Sequence, residues 1–315
     1  MEEKTIRIER YTVDRQKQWD DFVNASRTPM FMFNRGFMDY HSDRFTDFSL
    51  MFYSDDELIA VMPASEHGDE VRSHGGLTYG GMICSASVKQ HTAIACFDAL
   101  CDFCRLQGKT SVLYKSIPYI YHVVPGEEDM YALFRLNAET AKIEPSTVID
   151  LAHPCKMPKG RKAQVSRARR EGVVVQETDD FEAFVDLENS VLAARHNLHA
   201  VHTAAELRLL KSRFPERVRC VGGFLNGRMI AGTVLFVYDT VVHTQYLAAD
   251  DEACRIGALD LVVSEQIAKY TPTHRYFDFG ISSEEGGTVL NHGLISQKEG
   301  FGGRTVVYRT YRLNV

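Results

Sequence analysis

Apolar and polar positions follow the same succession of periods in the two halves of this chain. A polar turn leads into an apolar strand in DDELIAVMPASE and again in LNGRMIAGTVLFV, where Asn226-Gly227 is a strong hairpin signal. Each half continues with a tyrosine-bearing segment that reads as a strand, then a helix and another strand. These segments are GLTYGGMI, a helix from Gln90 and SVLYKSI in the first half, and VVHTQYLA, a helix from Ala258 and RYFDFGI in the second.

The matching landmarks are separated by a nearly constant interval of about 165–170 residues, which indicates a duplicated module. We expect an α/β (α+β) fold in which each module is a mixed, mostly antiparallel sheet flanked by helices, with a cleft between the modules. The linker LAHPCKMPKG contains two prolines and a glycine. It predicts one module in residues 1–150 and the other in 151–315, with a last strand able to return to the first module.

Composition restricts the class of protein. A hydrophobic content of 44% with 25% charged residues is typical of a globular chain, and the net charge of −6 argues against DNA binding. No run of about 18 apolar residues occurs, and MEEKTIRIER lacks the apolar core of a signal peptide. We therefore expect a cytoplasmic protein without a membrane span. Cys101 and Cys104 form an isolated CxxC inside a helical pattern, which favours buried, reduced thiols over zinc.

A strongly basic segment follows the predicted boundary. Residues 156–170 contain seven Lys and Arg residues and no acidic residue, and Gly172 is placed to end a helix. Most charge runs are solvated helix faces. Since like charges on one helix repel, the alternative is that this helix binds a phosphate-bearing ligand, with Arg167 and Arg170 as contacts.

Three histidines lie three residues apart in RHNLHAVH, between two predicted helices. The first helix covers DFEAFVDLENSVLAAR after an Asp179 or Asp180 cap, and the second begins at the capping box of Thr203 and Glu206. A metal site is one interpretation, but this spacing scatters the side chains around a helix and no carboxylate partner is evident. Loop packing and ligand contact through His202 are the alternatives, and we predict no metal.

Residues 297–304, QKEGFGGR, read as a loop with three glycines and Lys298 beside them. A glycine-rich phosphate loop usually leads into a helix whose N-terminus holds the anion. Here the β-branched and aromatic segment TVVYRTYRL follows, which predicts a strand. A phosphate cradle at this point therefore needs support from elsewhere in the chain.

The succession VVHTQYLA, ADDEACRIG, ALDLVVSEQIAKY and YFDFG resembles the core of the GNAT acyltransferase fold. Nearly the whole chain resembles FemAB-type proteins, the tandem-GNAT group that includes aminoacyl-tRNA-dependent peptidyltransferases and related N-acyltransferases. The resemblance depends on the order of four stretches. They are SHGGLTYGG at 73–81, GRKAQVSRARREGVVV at 160–175, HTQYLAADDEACRIGALDLVV at 243–263 and FDFGISSEEGGTVLNHGLISQKEGFGGR at 277–304.

The resemblance implies an N-acyltransferase that moves an acyl or aminoacyl group directly from an activated donor to an amine. The co-substrate would be an acyl-CoA or an aminoacyl-tRNA, and the acceptor a small-molecule or peptide amine. Of the loop that holds a donor pyrophosphate in this fold, only Arg255 and Gly257 remain, and three carboxylates precede them. The chain has no long coiled-coil insertion of the kind found in some peptidyltransferases of this group, which favours a small acyl donor over charged tRNA. An aminoacyl-tRNA-dependent peptidyltransferase and a non-catalytic GNAT-fold binding scaffold are the alternatives.

Candidate site residues follow from the same resemblance. Lys298 would carry a phosphate or stabilise the charge on the transferred carbonyl, and Tyr246 would act as acid or hydrogen-bond donor. Because His243 and Tyr246 are three residues apart on one strand, we expect them on opposite faces. The predicted acceptor contacts are Arg35, Tyr79, Asp278, Asn291 and His292.

Overall fold

The computed structural model describes residues 5–196 and 200–315. Its strands are β1 Ile6–Arg10, β2 Thr46–Asp47, β3 Leu50–Ser54, β4 Glu57–Met62, β5 Ser65–His67, β6 Glu70–Arg72, β7 Ile83–Cys84, β8 Ser111–Lys115, β9 Glu139–Asp150, β10 Val174–Thr178, β11 Val218–Leu225, β12 Arg228–Val237, β13 Val241–Ala249, β14 Tyr276–Ile281, β15 Ser283–Glu284, β16 Val289–Leu290 and β17 Arg304–Asn314. Its helices are α1 Gln16–Ala25, α2 Arg35–Met38, α3 Gln90–Leu106, α4 Glu128–Arg135, α5 Lys159–Arg170, α6 Phe181–His196, α7 Ala204–Arg213, α8 Asp251–Ile256, α9 Ala258–Tyr270 and α10 His292–Glu299.

Internal contacts divide the chain into two compact units. The first unit ends at Glu144 and also contains Val307–Val315, and the second is Pro145–Val306. The sequence placed the boundary at the end of β9, whereas the contacts place it within that strand.

The first unit contains two groups of strands. One is antiparallel in the order β1-β3-β4-β7, and the other has the order β17-β8-β6-β5-β2, with β6 and β8 parallel. Helix α3 buries Phe97, Leu100 and both CxxC sulfurs in the core, and all seven cysteines are free. The strand predicted for GLTYGGMI is wrong except at its last residue, Ile83, and Gly81 interrupts extended backbone there with φ of 78°.

The second unit contains strands in the order β10-β11-β12-β13-β14-β9, in which only β13 and β14 are parallel to each other, and a separate antiparallel pair of β15 and β16. Helix α9 packs on one face, where a Cβ at Gly223 would lie 2.8 Å from Val262. Helix α6 packs on the other face, where a Cβ at Gly232 would lie 3.0 Å from Phe184. Residues of β12 with even numbers near Gly232 therefore point to α6, and those with odd numbers point to α9.

Local signals in the sequence place several elements correctly. Helices α3 and α9 begin at the predicted residues, Asn226 and Gly227 form the turn with φ of 54° and 79°, and Asp180 caps α6 through the N–H of Ala183 at 3.0 Å. The capping box at the start of α7 is present. Within the described ranges, every helix is too short or too polar to cross a bilayer.

The segment QKEGFGGR is only partly the loop that its glycines predict. Helix α10 extends to Glu299, so Lys298 lies in its last turn, and Gly300–Gly303 make the connection to β17. The strand predicted after the glycines is confirmed as β17.

Candidate functional site

The candidate site lies where β13 and β14 diverge. Their parallel pairing covers only Val241–His243 against Tyr276–Asp278, although β13 runs on to Ala249 and β14 to Ile281. Gly280 follows with φ of 73°, a conformation that side chains disfavour. Parallel strands that separate expose backbone groups near their carboxyl ends, which is where ligands bind in many α/β proteins.

Asp278 holds His243 at the point of divergence. Its carboxylate is fully buried and accepts hydrogen bonds from Ser146 Oγ at 2.6 Å and from the Gly280 N–H at 2.9 Å. His243 Nδ1 lies 3.1 Å from its second oxygen. The chain encloses this carboxylate completely, so Asp278 is not available to a substrate, contrary to the acceptor contact that the sequence predicted for it. The sequence favoured Tyr246 over His243 as the residue facing the cleft, but in the structure it is His243 that Asp278 holds at this point.

Lys298 reaches the same place from α10. Its Nζ donates to the carbonyl oxygens of Gly280 at 3.0 Å and Ile281 at 2.6 Å, and the residue is only 5% exposed. Burial lowers the pKa of Lys298 to about 8, against the opposing effect of the Asp278 charge. Lys298 is therefore a buried lysine held by backbone carbonyl oxygens, not a surface residue.

The glycines after Lys298 let the chain approach itself. Gly302 has φ of 97°, and a Cβ there would overlap the carbonyl oxygen of Cys155. A Cβ at Gly303 would lie 2.5 Å from Thr147, and one at Gly300 would lie 2.6 Å from the Arg161 guanidinium. The glycine turn thus fixes the end of α10, and with it the position of Lys298.

A β-bulge changes the face that Tyr246 occupies. Leu235 pairs with Thr244 but Val234 pairs with Tyr246, so Gln245 is the extra residue. His243 pairs with Phe236, hence both His243 and Tyr246 lie opposite even-numbered residues of β12 and point to the α6 face. The predicted opposite orientation is wrong because an alternating pattern cannot reveal an inserted residue. The Tyr246 hydroxyl is hydrogen-bonded to Nδ1 of His202.

The predicted pyrophosphate contacts do not form an anion site. Helix α8 replaces the loop, with Asp250 as its N-cap and Arg228 bound to Asp250 and Glu252 at 2.7 Å each. A Cβ at Gly257 would lie 2.7 Å from the Gln164 carbonyl oxygen, so this glycine serves the packing of α5 against α9. Arg255 is exposed. The start of α9 is thus covered by the chain itself.

Some basic residues of helix α5 pair with other groups of the chain, and others do not. Arg161 points inward, binding Asp260 and the Gln297 carbonyl oxygen and lying 4.5 Å over the Phe301 ring. Arg169 pairs with Glu265 at 3.3 Å, and the predicted contact Arg167 is within 4.0 Å of Glu171. In the part of the chain that the structure describes, four exposed basic residues of this segment have no ion-pair partner: Lys156, Lys159, Lys162 and Arg170.

Two predicted acceptor contacts are packing residues of the first unit. Arg35 is 4% exposed, with its guanidinium 3.2 Å from Asp47, ion-paired to Asp39 and 3.9 Å over the Tyr11 ring. Tyr79 is buried, and its hydroxyl lies 2.6 Å from that of Tyr121 and 2.8 Å from that of Tyr308. Both side chains are enclosed by their partners, so neither is available to a ligand as predicted.

The other predicted contacts lie at the start of α10 and around the histidine segment. Asn291 caps α10 through the Leu294 N–H at 2.9 Å and donates to Glu284 at 2.6 Å, whereas His292 is exposed. His199 and the side chain of His196 lie outside the described residues. Across the described ranges, no group of His, Cys, Asp and Glu is arranged to hold a metal ion.

The first unit has a small cavity whose lining includes the charged residues Arg27, Glu128 and Asp129. Its volume is about 10 Å³, room for about one water molecule. The Tyr114 hydroxyl connects two of the lining residues, since it accepts from the Met82 N–H at 2.8 Å and donates to Asp129 at 2.9 Å. This cavity is too small for an acyl donor.

Part of the chain is similar to a known domain family. Residues 159–285 match the family described as the acetyltransferase (GNAT) domain. No curated protein matches the chain in sequence. The structure of FemX is similar at 10% identity with a TM-score of 0.69, covering 98% of this chain and 97% of that one.

Two further structures are similar over nearly their full lengths. L-PGS from Bacillus licheniformis has 13% identity and a TM-score of 0.62, with coverage of 96% of this chain and 92% of that one. A tandem GNAT protein from the clavulanic acid biosynthesis pathway has 12% identity and a TM-score of 0.55, with 98% of both chains covered. Residues 159–285 therefore match the GNAT domain, and the chain has the fold of these tandem GNAT structures, which confirms the predicted fold class and the resemblance.

Proposed function

From the GNAT domain in residues 159–285 and the polar cluster beside it, we propose that this protein is an N-acyltransferase. It transfers an acyl or aminoacyl group directly from an activated donor to an amine, where β13 and β14 diverge. The observation that carries this proposal is the convergence of Lys298, His243 and Asp278 on Gly280. Direct transfer needs a base for the amine, a cation or donors for the oxyanion and an acid for the leaving group.

Lys298 is suited to stabilise the oxyanion. Its ammonium is fixed by two backbone carbonyls and removed from water, so its charge acts in a medium of low dielectric constant. With a pKa of about 8, it is mostly charged at neutral pH. Loss of one such oxyanion donor costs about 10²–10³ in rate in other enzymes.

His243 is suited to accept the amine proton. When Nδ1 donates to Asp278, Nε2 is the acceptor nitrogen of the ring. The Cε1–Nε2 edge of the imidazole lies next to Gly280, since a Cβ at that residue would lie 3.2 Å from Cε1 and 3.8 Å from Nε2. Tyr246, on the same face of the sheet, then supplies the proton for the leaving group. Exposed His292 is the remaining candidate for an acceptor contact.

Two observations favour charged tRNA over an acyl-CoA as the donor. The start of α9 is closed by Gln164 and by the Arg161–Asp260 pair, which leaves no open helix N-terminus there for the diphosphate of an acyl-CoA. Four unpaired basic side chains on or next to α5 remain exposed. We therefore propose aminoacyl-tRNA as the donor and keep acyl-CoA as the alternative.

A binding experiment separates the two donors. Filter binding of charged tRNA should give an affinity that falls steeply with salt, and the double variant Lys159→Ala/Lys162→Ala should weaken it and flatten the salt slope. Lys89→Ala removes an exposed lysine of the first unit and should change nothing. An acyl-CoA that bound at a hundred times its dissociation constant would add about 2.7 kcal/mol in a thermal-shift titration. Such a shift, together with salt-insensitive tRNA binding, would reverse the choice of donor.

A further inference from the structure

Hydrogen bonds fix both the backbone and the side chain of Tyr246, which lies beside a β-bulge. Its carbonyl oxygen accepts from Thr233 Oγ1 at 2.8 Å, which ties the backbone on the far side of Gln245 to β12. The bulge turns the phenol to the face that also carries His243. A side chain placed by a bulge is often one that the site requires in a particular direction.

His202 determines where the phenol hydroxyl points. Nδ1 of His202 is hydrogen-bonded to that hydroxyl, and the rings meet edge to face with centroids 5.6 Å apart. His202 is only 8% exposed. The hydrogen bond therefore forms away from bulk water, where it is stronger than at the surface.

The backbone around His202 is fixed from both sides. Thr203 caps α7 in a reciprocal capping box with Glu206, and the Ala200 N–H donates to the Asn189 side chain of α6 at 2.8 Å. The imidazole thus belongs to a rigid helix start. Supported in this way, it can keep the phenol in one rotamer before a substrate arrives.

We propose that His202 is a positioning residue for Tyr246, with Nδ1–H donating to the phenol oxygen so that the phenolic proton is directed at the leaving group. This inference rests on the proposed acyl transfer. When the bond between the acyl carbon and the donor oxygen breaks, its electron pair goes to that oxygen, which takes the proton of Tyr246. The phenolate keeps the hydrogen bond from His202 and recovers a proton from solvent, while His243 holds the proton of the amine.

A positioning role and a purely structural role of His202 predict different results with different donors. A leaving group of low basicity needs no acid, so the contribution of Tyr246 and His202 should depend on the donor. The test compares the aminoacyl ester of tRNA with an activated aryl ester of the same amino acid, in single-turnover transfer to one amine acceptor. The variants are His202→Phe, His202→Gln, Tyr246→Phe and the double variant His202→Phe/Tyr246→Phe.

With the tRNA ester, His202→Phe should lower the rate constant about tenfold to a hundredfold, the range for one hydrogen bond to a charged group, with little change in KM. His202→Gln, which retains an N–H donor, should recover most of the rate. The double variant should be no slower than Tyr246→Phe, because the two residues act as one unit. With the aryl ester, all variants should approach the wild-type rate.

Each other outcome has a definite meaning. Equal losses with both esters, or additive losses in the double variant, would overturn the positioning role and leave His202 as a packing residue. Failure of the wild-type protein with both esters would instead overturn the proposed acyl transfer. Circular dichroism of each variant at the assay temperature distinguishes these results from misfolding.

Discussion

Burial of the Lys298 ammonium should appear as a specific dependence of stability on pH. The pKa of this lysine falls from an ordinary value of 10.5 to about 8 in the folded protein. Between these two values the unfolded chain binds more protons than the folded one, so stability rises with pH across this window. The full difference between pH 7 and pH 10.5 corresponds to about 3 kcal/mol, at about 1.4 kcal/mol for each pH unit.

The perturbation that isolates this effect is Lys298→Met, which keeps the length of the side chain and removes its charge. Free energies of unfolding in urea should be measured for both proteins at pH 7, 8, 9 and 10. Wild type should gain on the variant by about 2–3 kcal/mol from pH 7 to pH 10. The pKa of Lys115 is also lowered to about 8 by burial, but that residue is present in both proteins and cancels in the difference.

Lys89→Met is the matched control, since Lys89 is exposed, and its stability should run parallel to that of wild type. A constant difference between wild type and Lys298→Met over the whole range would refute the reasoning. In that case the ammonium would titrate as it does in water, and its role as a desolvated cation at the site would be lost.

Three other substitutions test single contacts. Glu188→Gln should stabilise the protein at pH 7–8 but not at pH 4.5. Burial raises the pKa of this 8%-exposed carboxyl from 4.5 to about 7, so the stability of the wild type falls as pH rises from about 4.5 to about 7. Urea unfolding checks this, and a similar gain in exposed Asp186→Asn would contradict it. Gly302→Ala should cost more than the roughly 1–2 kcal/mol of left-handed strain, since its Cβ also meets Cys155, whereas Gly286→Ala at φ of 67° in open space should cost only the strain. Equal losses of free energy of unfolding in the two glycine variants would argue against the close approach. Arg35→Met should cost about 1–2 kcal/mol through loss of its ion pairs, since Asp39 and Asp47 are partly exposed and stay hydrated, with KM for the acceptor unchanged in the folded fraction. A raised KM without loss of stability would restore Arg35 as an acceptor contact.

The elements of the fold were predictable because local rules agree with the tertiary structure over most of the chain. The helices starting at Gln90 and Ala258 and the Asn226-Gly227 turn follow from hydrophobic period and turn chemistry, and the α7 capping box follows from two residues three apart. In these cases the side chains that define an element are close in sequence, so the pattern contains the information.

The site was less predictable because distant contacts determine it. One inserted residue, Gln245, reverses the face of Tyr246 without disturbing the apolar pattern of β13. The burial of Arg35 depends on Asp47 across the fold, and the packing role of Gly257 depends on Gln164 of another helix. The glycines of QKEGFGGR signalled close approach correctly, but the partner proved to be the chain itself.

The most direct test of the account is transfer of a radiolabelled amino acid from charged tRNA to an amine acceptor under single-turnover conditions, by wild type, Lys298→Met and Lys89→Met. The account predicts transfer by wild type and Lys89→Met, and a rate about a hundredfold or more lower in Lys298→Met with the donor still bound. Equal rates in all three proteins would remove Lys298 from the chemistry. Tight binding of the donor without transfer by any of them would make the protein a GNAT-fold binding scaffold.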